Sequence, residues 1–376
     1  MKKTLVALAA LAATSAFAQS SVSITGYFDR GYTKTENTNA VKNAKAISSS
    51  AGTTAIKFTV VQDLGGGLKA GFMSETNPAD IGGVVQDTAA DAITTQGGGF
   101  NNGESFLNLT GGFGEVKLGS VNNELLTAAT GVAAPGFSTG IGSSYSSGWS
   151  IFNGVGTGNS GAFIAGLASA TNVAADKGGV RGIRQANTIK YASPDFNGFK
   201  FAYGTAPKNN TGTGDTAGFT DMSLRYTNGP VDVMYASLKI ATNTTDTVVT
   251  QVGTGVTSVG KSYTHSLLGA TYTLGALKLH AGTGGTKSDE ATVKTSGTVY
   301  GATYTMGQWD LMAQQGKADD KGTSNIDRKM TGLGVNYNFS KTVRAYVRYD
   351  SLNYNTAAAS SGSEIKRTAV GASMSF

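Results

Sequence analysis

The chain is predicted to fold as an all-β, closed sixteen-stranded antiparallel transmembrane β-barrel, and three observations predict it. Apolar and polar residues alternate with period two in one segment after another, as in strands with one oily and one wet face. Short turns alternate strictly with long polar stretches from end to end. Among 376 residues there are 53 Gly, 5 Pro and no Cys, and after the first twenty residues no apolar run reaches the roughly 18 residues of a membrane-spanning helix.

The first element is not part of the barrel. Lys2 and Lys3, an apolar run over residues 5–13 and the Ala16-Phe17-Ala18 triplet before Gln19 have the form of a secretory signal cleaved after Ala18. Residues 1–18 are therefore assigned to a signal peptide and 19–376 to one barrel domain, since no Pro-rich or charge-block linker divides the remainder. Without Lys2 and Lys3, 28 basic residues face 24 acids, a net charge of +4 that is too mild to indicate nucleic acid. The absence of cysteine excludes disulfides and thiolate metal sites.

Seven short turns follow in order: residues 63–67 (DLGGG), 111–114 (GGFG), 194–198 (PDFNG), Asn228-Gly229, Leu274-Gly275, Met306-Gly307 and Ser340-Lys341. Between the hairpins lie eight long polar stretches, near 34–52, 77–101, 122–183, 206–218, 241–261, 285–297, 317–328 and 355–363. Seven short and eight long connections join sixteen strands and put both chain ends on the short-turn side, as a closed outer-membrane barrel requires.

Face assignments repeat along the strands. Leu333, Val335, Tyr337 and Phe339 alternate with Gly332, Gly334, Asn336 and Asn338; Val343, Ala345, Val347 and Tyr349 alternate with Arg344, Tyr346, Arg348 and Asp350. In the last segment Val370, Ala372, Met374 and Phe376 share the oily face, and Arg367, Ala369, Gly371, Ser373 and Ser375 the wet one. A strand with two arginines on one face points them at water. Phe199, Tyr226, Tyr272, Trp309, Phe339 and Phe376 sit on outward faces beside the short turns and predict an interfacial girdle.

Residues 21–29 (SVSITGYFD), 63–68 (DLGGGL), 111–119 (GGFGEVKLG) and 187–199 (NTIKYASPDFNGF) resemble, in this order, segments of the Gram-negative general diffusion porins of the beta-proteobacterial type. With the signal segment and the terminal Phe376, the likeness spans nearly the whole chain. The resemblance implies a homotrimer in the outer membrane, each barrel holding a water-filled pore narrowed by its third loop, here about residues 122–183. It also implies partners: small hydrophilic solutes and ions, outer-membrane lipid and lipopolysaccharide, and the barrel assembly machinery, for which Phe376 is the assembly signal. No cofactor, metal or nucleic acid is expected. Barrel size agrees, because sixteen strands leave an aqueous channel rather than a packed interior.

The expected function is passive diffusion of small hydrophilic solutes and ions with weak anion preference. Strand parity turns Lys57, Lys69, Lys117, Arg184, Lys190, Lys200, Arg225, Lys278, Arg344, Arg348 and Arg367 inward, against Asp29, Glu75, Glu104, Glu115, Asp232, Asp310 and Asp350. A positive lumen concentrates anions where the pore is narrow. The residues expected to line the pore or its constriction are Lys57, Arg184, Lys190, Arg225, Arg344 and Arg348, with Glu124 and Asp176 as acids at the edges of the third loop. Arg184 precedes a strand where similar porins usually carry an arginine.

Other features weaken the expected field. Ala55, Gly103 and Ser120 stand where the resemblance leads one to expect arginine, and residues 125–175 contain no Asp, Glu, Lys, Arg or His. Polar discrimination through Tyr145, Trp149, Phe152 and Asn153 is the corresponding alternative. A solute-dedicated channel for a sugar or organic acid, an outer-membrane barrel enzyme and an adhesin using the long loops are the competing functions.

Catalysis has little local support. Residues 136–140 (GFSTG) match a nucleophile elbow, but Ser138 lies in a neutral loop rather than between strand and helix. Residues 156–161 (GTGNSG) match a dinucleotide fingerprint without a βαβ unit around it. His265 and His280, the two histidines, fall on adjacent predicted strands, where a ladder could bring them together.

Overall fold

Sixteen strands form the wall of a closed barrel. The structure is a computed structural model that describes residues 20–37, 44–78, 85–86, 101, 103–137, 139–143, 184–207, 218–241, 248–249, 257–258, 262–288, 294–321, 327–354 and 363–376. The wall strands are β1 Ser20–Asn37, β2 Ala55–Gly65, β3 Leu68–Thr76, β4 Ser105–Gly111, β5 Gly114–Asn122, β6 Arg184–Ala192, β7 Phe199–Ala206 and β8 Gly218–Asn228. They continue as β9 Val231–Ala241, β10 Ser262–Leu274, β11 Leu277–Ser288, β12 Lys294–Met306, β13 Trp309–Asp320, β14 Arg328–Asn338, β15 Val343–Tyr354 and β16 Ser363–Ser375. Short ladders at Ala44–Ser48, Val85–Gln86, Val248–Val249 and Thr257–Ser258 lie within long connections.

Each wall strand pairs antiparallel with its neighbour in sequence, joined alternately by short turns and by long connections. Gly229, Gly275 and Gly307 carry φ of 54°, 58° and 60°, the left-handed region that a two-residue hairpin turn demands and that glycine enters without steric cost. Several strands run past their expected ends: β1 reaches Asn37, β11 reaches Ser288 and β13 reaches Asp320, residues assigned from composition to long loops. Polar Gly-, Thr- and Lys-rich ends still pair, because ladder hydrogen bonds do not require apolar side chains.

The barrel closes between its first and last strands, from Tyr27 opposite Ser375 to Asn37 opposite Ile365. Gly26 and Phe376 exchange backbone hydrogen bonds of 2.9 and 3.1 Å at the end of this seam. The Phe376 ring stacks on Phe28 at 5.9 Å. A Cβ at Gly26 would stand 2.5 Å from that ring, so the seam closes over a residue without a side chain.

On its other side β1 changes partner: Ser20 to Tyr27 pair with β2, whereas Gly31 to Thr35 pair with Ala44–Ser48. Between these ladders residues 49–54 leave the wall as an inward bulge.

Outward side chains are apolar and exposed, among them Leu224, Leu268, Leu311, Leu333, Val347 and Val370. The aromatic girdle is contiguous in places: Phe199 meets Tyr226 at 4.5 Å, and Tyr337 meets Trp309 at 4.8 Å and Phe339 at 5.0 Å. Asp350, Arg348 and Tyr346 are buried on the inward side of β15, as its alternation predicts. No described helix is long and apolar enough to cross a membrane.

Candidate functional site: the lumen and its inner loop

After β5 the chain enters the barrel. Asn123 caps a one-turn helix, α1 Glu124–Thr127, its Oδ1 accepting from the Leu126 amide at 2.8 Å. The turn widens over Ala128–Ala133 into a π-helical turn, where the Thr130 hydroxyl donates to the Leu126 carbonyl at 2.8 Å, and a 3-10 turn follows at Pro135–Phe137.

This segment lies against the inner wall. Leu125, Ala128, Ala129, Val132 and Ala133 are buried on Phe219 of β8, Met234, Ala236 and Leu238 of β9, Leu267 of β10 and Val299 of β12. The wall is thus apolar on both faces here, and the loop keeps water from its inner one. Wall glycines make the close approach possible. A Cβ at Gly269 or Gly282 would stand 2.9 Å from the Ala133 amide nitrogen or 2.6 Å from its Cβ, and one at Gly332 would stand 3.0 Å from Gly142.

The root of the loop is tied by charge. Lys190 of β6 pairs with the Glu124 carboxylate, lies 3.6 Å from Asp221 and donates to the Asn122 carbonyl at 2.7 Å. The Glu124 amide donates to Asp221 at 2.8 Å, and the Ser223 hydroxyl donates to Glu124 at 2.7 Å. The far end is tied by the wall and by the bulge. The Gly142 amide donates to Asp350 at 2.7 Å, the Gln314 amide donates to the Gly142 carbonyl, and the Ile141 amide donates to the Ser50 carbonyl at 2.7 Å. Asp29 in turn fixes the bulge, accepting from the amides of Ala51 and Gly52 at 2.6 and 2.7 Å and from the Tyr346 hydroxyl. Ala51, Ile141, Tyr346 and Ala369 form one buried cluster at this junction.

Most of the predicted inward cations meet carboxylates. Lys57 lies 3.1 Å from Glu75, Lys117 3.4 Å from Glu115, and Lys200 3.7 Å from Asp195. Arg225 makes a bidentate pair with Asp232 at 2.8 and 2.5 Å, and Arg367 another with Asp350 at 3.0 and 2.6 Å. Lys190 and Glu124 neutralise each other under the loop rather than facing open water. Arg184 begins β6 opposite Asn122, at the loop root.

Arg344 and Arg348 differ. Arg344 donates to the Ser373 hydroxyl at 3.0 Å and to the Tyr27 hydroxyl at 2.9 Å. Arg348 donates to Asn336 at 2.8 Å and lies over the rings of Phe137, at 5.7 Å, and Tyr346, at 5.3 Å. Among the described residues neither has a carboxylate within 4 Å.

Asp176, Ser138, Tyr145, Trp149, Phe152 and Asn153 lie outside the described residues. At Gly103, where arginine was expected, a Cβ would stand 2.6 Å from the Glu75 side chain, so a long residue there has to displace that acid. His265 sits opposite Leu238 and Thr286, bonded to the Thr286 hydroxyl at 2.7 Å, whereas His280 sits opposite Thr271 and Gly301. The ladder keeps the two histidines apart, and no cluster of three metal-ligating side chains occurs among the described residues.

Several residues that shape the site were missed from sequence: Asp221, Gln314, the 49–54 bulge and the glycines under the loop. Their signal lay in β8 to β10, where Phe219, Met234, Leu238 and Leu267 are apolar on the supposedly wet face. That double-sided pattern announces a cover on the inside.

Comparison with known proteins places this geometry. Residues 4–357 match the family described as Gram-negative porin. Outer membrane porin protein 32 of Delftia acidovorans is 30% identical over 357 residues, 92% of this chain and 88% of that protein. The major outer membrane protein P.IB of Neisseria gonorrhoeae is 28% identical over 63% of this chain and 57% of its own length. Among solved structures, an anion-selective porin from Comamonas acidovorans shares the fold with a TM-score of 0.70 at 24% identity, covering 95% of this chain and 100% of that one. The trimer form of OmpT from Vibrio cholerae shares it at 0.59 and 12% identity, over 95% and 99% of the two chains.

Proposed function

The chain belongs to the Gram-negative porin family, an outer-membrane channel for passive diffusion, and on that footing we propose that its lumen favours small anions through Arg344 and Arg348. The observation that carries this reading is the pattern of pairing. Lys57, Lys117, Lys190, Arg225 and Arg367 are neutralised by nearby carboxylates, whereas Arg344 and Arg348 are held by neutral hydroxyl, amide and aromatic groups. A paired cation contributes a dipole, which decays quickly across a wide pore. A cation with neutral direct partners keeps more of its field, which attracts anions and repels cations. Both arginines sit on β15 below the end of the inner loop, and the anion selectivity named for the Comamonas porin supports the same sign.

Passage needs no coupling ion or moving part: the pore filters by size and by this field. Residues 1–18 serve as the cleaved signal, Phe376 as the assembly signal, and the functional unit is a homotrimer, a reading supported by the trimer form of the related OmpT structure.

The test is the chloride-to-potassium permeability ratio in a planar bilayer for the parent protein and R344Q/R348Q. The parent should prefer chloride, and the double variant should lose most of that preference while single-channel conductance stays within about twofold. An unchanged ratio in the variant would place the field elsewhere.

A further inference from the structure

Arg344 and Asp310 are opposite charges that the fold holds apart. Both share the inward face of the wall near its short-turn end, Asp310 on β13 and Arg344 on β15, with β14 between them. Two strand spacings, about 10 Å, separate their backbones, a gap that an arginine reaching toward an aspartate can close. Elsewhere on the inner wall such pairs do close: Arg225 grips Asp232, and Arg367 grips Asp350, each in a bidentate contact. Here the two charges are near enough to interact through space but do not meet. Among the described residues, Asp310 has no cation and Arg344 no carboxylate within salt-bridge distance.

Neutral groups hold each charge in place. The Asp310 carboxylate accepts from the Thr305 hydroxyl at 2.9 Å and from the side-chain amides of Asn336 and Asn338 at 3.2 and 2.9 Å. The Arg344 guanidinium is drawn the other way. It donates to the hydroxyls of Ser373 on β16, at 3.0 Å, and Tyr27 on β1, at 2.9 Å, and stands 5.9 Å from the centre of the Tyr27 ring. Those bonds leave several of its N–H donors free, and the carboxylate keeps lone pairs beyond those that Thr305 and the asparagines use.

We propose that this gap is a subsite for zwitterions, solutes of the amino acid and short peptide class, with the ammonium on Asp310 and the carboxylate on Arg344. Both ends then gain charge-assisted hydrogen bonds, and the guanidinium fork suits a carboxylate. A solute with only one of the charges satisfies one end and is repelled by the other, so the site selects the dipole. The protein groups are already in position, so little side-chain ordering opposes binding. The subsite shares Arg344 with the anion preference proposed above but depends on Asp310 as well, so the two readings fail separately.

Planar-bilayer conductance in potassium chloride with added γ-aminobutyrate tests it, with butyrate and n-butylammonium as solutes of the same length that carry one charge each. γ-Aminobutyrate should reduce the conductance saturably, at concentrations at least about tenfold below those at which either control does so. D310N should lose most of this block while its chloride preference rises, because an acid has left the lumen. Y27F/S373A keeps the net charge of the parent but frees Arg344 to close on Asp310, and it should lose the block too. Conducting channels that γ-aminobutyrate does not block saturably, equal block by butyrate or n-butylammonium, or undiminished block of D310N would each overturn the proposal. If D310N forms no channels, the same judgement passes to Y27F/S373A. Selective block of a parent channel that shows no chloride preference would support this subsite and overturn the anion preference instead.

Discussion

Lys190 shows how much one charge can matter in a barrel with little conventional core. Its side chain is 8% exposed, and the two acids around it are 13% and 1% exposed, so the group is shielded from water and salt. Removing the lysine leaves Glu124 and Asp221 facing each other without compensation. Lys190→Met should therefore destabilise the folded barrel by about 3–5 kcal/mol in urea-induced unfolding. Lys200→Met, which breaks a pair more than half exposed on both sides, should cost less than about 1 kcal/mol in the same assay. Equal effects would mean that the loop root is not held by its buried charges. The same distinction bears on the inward bases: residue type was readable from sequence, but partnership was not, because Lys57 and Glu75 or Arg225 and Asp232 meet only once the register is fixed.

Among elements, the wall was far more legible than the loop inside it. Turns such as Asn228-Gly229 and Met306-Gly307 announce themselves through local chemistry, and period-two alternation in β14 to β16 assigns faces without knowledge of distant contacts. The inner loop has neither cue, since a neutral run of Ala, Gly, Ser and Thr has no periodic stripe, and its position follows from shape. That shape is written on the wall instead, as glycines where the backbone passes close and as apolar residues turned inward. Gly282→Val should consequently push Ala133 off β11, and the variant's single-channel records should show altered conductance with added noise. A record indistinguishable from the parent would show that the contact does not position the loop. Strand ends were misjudged for a related reason: polar composition marks solvent, whereas β11 and β13 stay paired through polar residues to Ser288 and Asp320.

For the whole molecule, barrel closure and the inner loop are linked through β1. Its first half pairs with β2, its second half seals against β16, and the bulge beside it holds the end of the inner loop through Ser50. Phe376→Ala removes the ring that stacks on Phe28 over Gly26, and should lower the yield of heat-resistant folded barrel in the membrane while leaving the conductance of surviving channels unchanged. With its root held by Lys190 and its far end by Asp350, Gln314 and Ser50, the described part of the loop is tied to the wall at both ends, and on the proposed reading the channel is a fixed filter. That claim has a direct test, made clean by the absence of native cysteine. Ala51→Cys and Ile141→Cys place two thiols in the buried cluster where loop meets bulge, and single-channel conductance is recorded before and after oxidation. A disulfide that forms readily and leaves conductance and selectivity unchanged is the predicted result; a large change in either on cross-linking would contradict a loop already fixed in place.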